Sequence, residues 1–101
     1  MQEKIWQTNY QGIEIVVKNA WNFSGDTYEE ICIDNKIVHQ ERYNIHDDFK
    51  LGMSHEYFVR GYKITIKIGS AWYLFGVACQ ILVNDIHYSG NKIVLFASKK
   101  K

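Results

Sequence analysis

A chain of 101 residues with 47% hydrophobic and 15% aromatic content holds enough material for one core. It excludes a second domain, because ordering the chain costs about 1.5 kcal/mol per residue and most of the Ile, Val, Tyr, Phe and Trp must be buried to offset that. Twelve basic and eleven acidic residues give a net charge of +1, but Lys99, Lys100 and Lys101 form a basic tail, and the body left behind is mildly acidic. That balance argues against a grip on a phosphate backbone, so nucleic acid is not an expected partner.

The opening segment, Met1 to Trp6, carries Glu3 and no apolar stretch. It does not read as a signal peptide, and the expected location is cytoplasmic. Gln11-Gly12 then separates an apolar-patterned run over residues 4–9 from another over residues 13–18. Asp34-Asn35 separates Glu30-Ile31-Cys32-Ile33 from Lys36-Ile37-Val38-His39, and both turn residues tolerate the left-handed conformation. Arg60-Gly61 joins Glu56 to Val59 with the strongly alternating Tyr62 to Ile68, in which Tyr62, Ile64, Ile66 and Ile68 share one face. Asn84-Asp85 repeats the device between Gln80 to Val83 and Ile86 to Tyr88.

Four hairpins make eight strands. The expected fold is all-β, an antiparallel β-sandwich or flattened barrel of about eight strands joined by tight hairpins, in a single domain over residues 1–101. Ile93 to Ala97 reads as a ninth strand or a helical turn, with the strand favoured by its β-branched residues. Ala20 to Asp26 and Tyr43 to Met53 are the longer connections, where a functional loop would sit, and the second is expected to be the most mobile internal segment. Cys32 and Cys79 lie in apolar runs and are read as buried, reduced thiols. Residues 68–84 are uncharged, yet Gly69, Ser70, Gly76, Gln80 and Asn84 make a buried central strand a better reading than a spanning helix.

Trp6 in a first strand, Gly12 opening a second, Ile31-Cys32-Ile33-Asp34-Asn35-Lys36-Ile37-Val38, Tyr57-Phe58-Val59-Arg60-Gly61-Tyr62, and the closing Ile81-Leu82-Val83-Asn84-Asp85-Ile86 follow one another in a recognisable order. That order resembles the Fas apoptotic inhibitory molecule family over residues 4–90. The chain departs from the family pattern with Asn35 in place of glycine and Asn84-Asp85 in place of Asp-Gly. The resemblance implies a non-catalytic β-sandwich acting through protein contacts, and it names no partner.

The densest polar cluster is His46-Asp47-Asp48 with His55-Glu56 nearby. His46, Asp48 and His55 are candidate metal ligands on a loop, but neither a repeated zinc spacing nor His-Glu-x-x-His is present, and no resident metal is expected. His39 and His87 each follow a hairpin turn and read as packed or hydrogen-bonded strand histidines that could meet across a sheet. Glu29 and Glu30 point to opposite faces and read as a solvated strand edge. Arg60-Gly61-Tyr62 matches only the opening of an RNA-binding motif, and Asn22-Phe23-Ser24 matters as a glycosylation acceptor only in a secreted chain. No nucleophile motif stands beside a base, so no catalytic residue and no cofactor is assigned.

The stretch Ala71 to Cys79 is apolar on both faces. Trp72, Tyr73, Leu74, Phe75 and Val77 therefore mark a candidate interaction surface, and a protein-interaction module forming a homodimer is the leading expectation. A small barrel around an apolar ligand, and an enzyme with a loop-borne site near His46 and His55, are the alternatives.

Overall fold

All four two-residue turns are hairpins whose central residues take the left-handed conformation. The φ angles are +51° and +83° at Gln11 and Gly12, +50° and +65° at Asp34 and Asn35, +50° and +85° at Arg60 and Gly61, and +50° and +68° at Asn84 and Asp85. Two successive positive φ values give the type I′ twist that matches the right-handed twist of paired strands. The computed structural model describes residues 2–44, 53–70 and 77–91. Over these the protein is all-β, with strands β1 (Gln2–Tyr10), β2 (Ile13–Trp21), β3 (Asp26–Ile33), β4 (Lys36–Asn44), β5 (Met53–Val59), β6 (Tyr62–Ser70), β7 (Val77–Val83) and β8 (Ile86–Gly90).

The strands form two four-stranded antiparallel meanders, β1-β2-β3-β4 and β5-β6-β7-β8. They fall in two compact units, residues 1–49 and 50–101. The eight strands in two sheets agree in number and kind with the expected eight-stranded fold. In the first sheet Ile15 pairs with Ile33 and Val17 with Ile31, which puts Ile13, Ile15, Val17, Ile31 and Ile33 on one buried face. In the second, Ile64, Ile66 and Ile68 pair with Val83, Ile81 and Cys79, and all six are buried. Each isoleucine so placed contributes about 1.5–3 kcal/mol over its exposed state.

The two sheets repeat one plan, a feature hidden in the sequence. Gln11-Gly12 corresponds to Arg60-Gly61 and Asp34-Asn35 to Asn84-Asp85. The pairing of β3 with β4 shifts register after Ile31, with Val38 as the extra residue. The pairing of β7 with β8 shifts at the same place, after Ile81, with Tyr88 extra.

Several expectations change. The connection after Ala20 is short, because β2 runs to Trp21 and Asn22 closes a compact turn: its Oδ1 accepts from the N–H groups of Ser24 and Asp26, both at 3.0 Å. Tyr43 belongs to β4 and Met53 to β5, so the mobile loop expected there loses both ends to strands, and residues 45–52 lie outside the described residues. Cys79 is buried, but Cys32 is only half-buried because its parity is opposite to that of Ile31 and Ile33. Ile93 to Ala97 and Trp72 to Phe75 lie outside the described residues. Among the described residues no helix is long and apolar enough to cross a membrane.

Gly61 and Gly90 both sit at positive φ, +85° and +81°, yet differ in surroundings. A Cβ on Gly61 meets no described residue within 4 Å, whereas one on Gly90 would lie 2.3 Å from the backbone oxygen of Cys79. Gly61→Ala should cost the left-handed penalty alone, about 1–2 kcal/mol, and Gly90→Ala should cost more because backbone must move. Urea unfolding of the two variants checks the order, and an equal or reversed cost would contradict the geometry.

Candidate functional site

On the buried side of the first sheet the apolar rows give way to a polar one. Register places Lys4 of β1 beside Asn19 of β2, Asn19 beside Glu29 of β3, and Glu29 beside Glu41 of β4. The neighbouring row runs Trp6, Val17, Ile31, His39. Since side chains alternate along a strand, residues two apart share a face, so this grid sets Glu29, Glu41 and His39 close together. Asn19 and Glu29 are each only 2% exposed.

A carboxylate that far from water is costly unless it is hydrogen-bonded and paired. Glu29 Oε1 lies 3.3 Å from His39 Nε2, a hydrogen bond that the imidazole N–H donates because the carboxylate oxygen accepts. The Tyr43 hydroxyl donates to the other oxygen, Oε2, at 3.4 Å. Glu41 Oε1 stands 4.0 Å from the same His39 nitrogen. Among the described residues the Oδ1 of Asn19 has no hydrogen-bond partner.

The opposite side of this sheet carries a second network. Tyr28, Glu30 and Cys32 project there from β3, Gln40 and Arg42 from β4, and Lys18 from β2. The Tyr28 hydroxyl donates to Glu30 Oε1 and accepts from Gln40 Nε2 at 2.7 Å. The Arg42 guanidinium caps the Tyr28 ring at 4.5 Å from its centroid, a cation–π contact. The Cys32 thiol reaches Glu30 Oε2 at 3.5 Å.

The hydrogen bond from Tyr28 holds the Glu30 carboxyl below its ordinary range, against burial, with smaller help from the Cys32 thiol and the Lys18 charge. The same bond, with burial, raises the Tyr28 phenol. Burial, then the Glu30 hydrogen bond and charge, pushes the Cys32 thiol up, and burial pushes the Cys79 thiol up to about 12. Neither thiol is therefore prepared as a thiolate nucleophile at neutral pH.

His46 and Asp48 lie outside the described residues, and His55 is a buried strand residue of β5, stacked near Tyr57 at 6.4 Å between ring centroids. His39 and His87 belong to different sheets and do not meet across one, while the expectation of hydrogen-bonded strand histidines holds: His87 Nε2 donates to the Gly90 carbonyl at 3.2 Å. Glu29 and Glu30 do point to opposite faces, but on a central strand, so the solvated edge expected for them is corrected. Of the proposed interaction surface, only Val77 is described, half-buried at the start of β7. Sequence reasoning missed Asn19, Glu41 and Tyr43, and the signal available was their shared odd parity with Ile15, Val17 and Ile31. No protein-family model, no curated protein and no solved structure matches the chain.

The Tyr28–Glu30 pair sets a pH window. Glu30's carboxyl is lower in the folded than in the unfolded chain, so its stabilisation is present above the unfolded value of about 4.3 and is lost as pH falls through the folded one. Tyr28's phenol is raised, so its share is present below about 10 and is lost as pH rises beyond. Tyr28→Phe should therefore cost about 1 kcal/mol at neutral pH, a deficit that shrinks in acid and in strong alkali. Urea titrations across that range test it, and a deficit independent of pH would contradict it.

Proposed function

We propose that the chain is a non-catalytic protein-interaction module that pairs with a second copy of itself through the open edge of β1. One observation carries the reading. Among the described residues β1 is a nine-residue edge strand, and its pairing with β2 runs from Gln2 opposite Trp21 to Tyr10 opposite Ile13 without a bulge. An edge of that kind presents a row of backbone donors and acceptors to any strand that can lie beside it.

The other described edges are less suited. β4 and β8 carry bulges, which disrupt pairing, and β5 is shorter. β7 has neighbours on both sides, so the strand that holds Val77 offers no edge. β1 contains no proline, and Gln2 to Ile5 are exposed, Ile5 at 53%.

A two-fold antiparallel pairing centred on Ile5 sets Ile5 opposite its own copy, Lys4 opposite Trp6 and Glu3 opposite Gln7. No like charges face each other in that register, and the arrangement closes on itself as a dimer.

Because the pairing is symmetric, Ile5→Lys places two ammonium groups opposite each other and Ile5→Glu two carboxylates. Sedimentation velocity at tens of micromolar should show a wild-type dimer and two monomeric variants, and an equimolar mixture of the variants should recover the dimer. A monomeric wild type, or a dimer in either variant alone, would contradict the proposal.

A further inference from the structure

We infer that the polar row on the buried face of the first sheet is a site for a first-row divalent cation of zinc's kind. Its ligands are the Glu29 carboxylate, the His39 imidazole and the Asn19 side-chain carbonyl. The repeat within the chain supplies an internal comparison. Where the first sheet pairs Asn19 with Glu29, the second pairs Ile68 with Cys79 at the corresponding grid position, and both are buried. The fold is thus satisfied by apolar residues there, and the polar pair in the first sheet calls for another reason.

The orphan is the independent observation. Asn19 is 2% exposed, its Oδ1 accepts no hydrogen bond from any described residue, and register sets it directly beside Glu29 on the same face. A buried amide oxygen without a donor costs about 1–3 kcal/mol, and a cation between it and the neighbouring carboxylate removes that cost.

The distances suit the same group. Two ligands about 2.0–2.1 Å from a tetrahedral zinc stand about 3.4 Å apart, and Glu29 Oε1 lies 3.3 Å from His39 Nε2. The Tyr43 hydroxyl holds Glu29 Oε2, which leaves Oε1 to face the site, as outer hydrogen bonds commonly orient ligating carboxylates. One imidazole among oxygen donors selects a first-row ion over calcium or magnesium.

The test is titration of the full, chelator-treated chain with Zn2+ alone, read by calorimetry and by the melting temperature. One equivalent should bind and raise the melting temperature. His39→Ala and Asn19→Leu should each weaken binding at least tenfold, and His87→Gln should leave it unchanged. Asn19→Asp supplies an anionic ligand in place of a neutral one and should tighten binding about tenfold, a gain that a misfolded variant could not produce. Absence of Zn2+ binding by the wild type, or equal affinity in the wild type and all three variants at positions 19 and 39, would overturn the inference.

Discussion

The register clamp between each central hairpin and its turn is the contact on which the rest depends. The Asp34 side chain accepts from the Glu14 N–H at 3.0 Å while the Asp34 N–H donates to the Glu14 carbonyl at 2.9 Å. Asn84 makes the same two-way grip on Lys63, at 3.0 and 2.8 Å. Each clamp ties the turn that ends β3 or β7 to the start of β2 or β6, and so joins three strands at one point. A slip of one residue would turn every side chain to the other face. With the register held, the isoleucines of β2 and β6 are all directed to the buried side.

That parity also sends Asn19 and Glu29 inward, in line with Ile15, Val17 and Ile31. The buried polar row is thus a consequence of the register that builds the apolar face, and only its residue types are free. The second sheet places Ile68 and Cys79 in those positions, whereas the first accepts the cost of a carboxylate and surrounds it with His39, Tyr43 and Glu41. The two sheets also share their edge irregularity. Bulges at Val38 and Tyr88 interrupt the outer strands β4 and β8, whereas β1 pairs with β2 over nine residues without one.

Much of this was legible because the turn chemistry is local. Asp34-Asn35, Arg60-Gly61, Asn84-Asp85 and Gln11-Gly12 announce their conformation from two residues, and the alternation of Tyr62 to Ile68 announces its face. The buried site was not legible for the opposite reason. Glu29 reads as a solvated residue until the strands on both sides of it are known, and its partners lie 10 and 14 positions away in sequence. Cys32 misled because Ile31 and Ile33 flank it, although alternation alone puts it on their opposite face. The repeat escaped notice because its two clamps exchange aspartate for asparagine and its bulges leave no residue signature.

Hydrogen exchange along β1, followed residue by residue at low and high protein concentration, tests the central claim of edge pairing most directly. In a strand bonded on one side, alternate amides point outward and exchange freely. Pairing between copies predicts that this outward set slows as concentration rises, while the set bonded to β2 stays protected throughout. An outward set that exchanges at the same fast rate at every concentration would contradict the account.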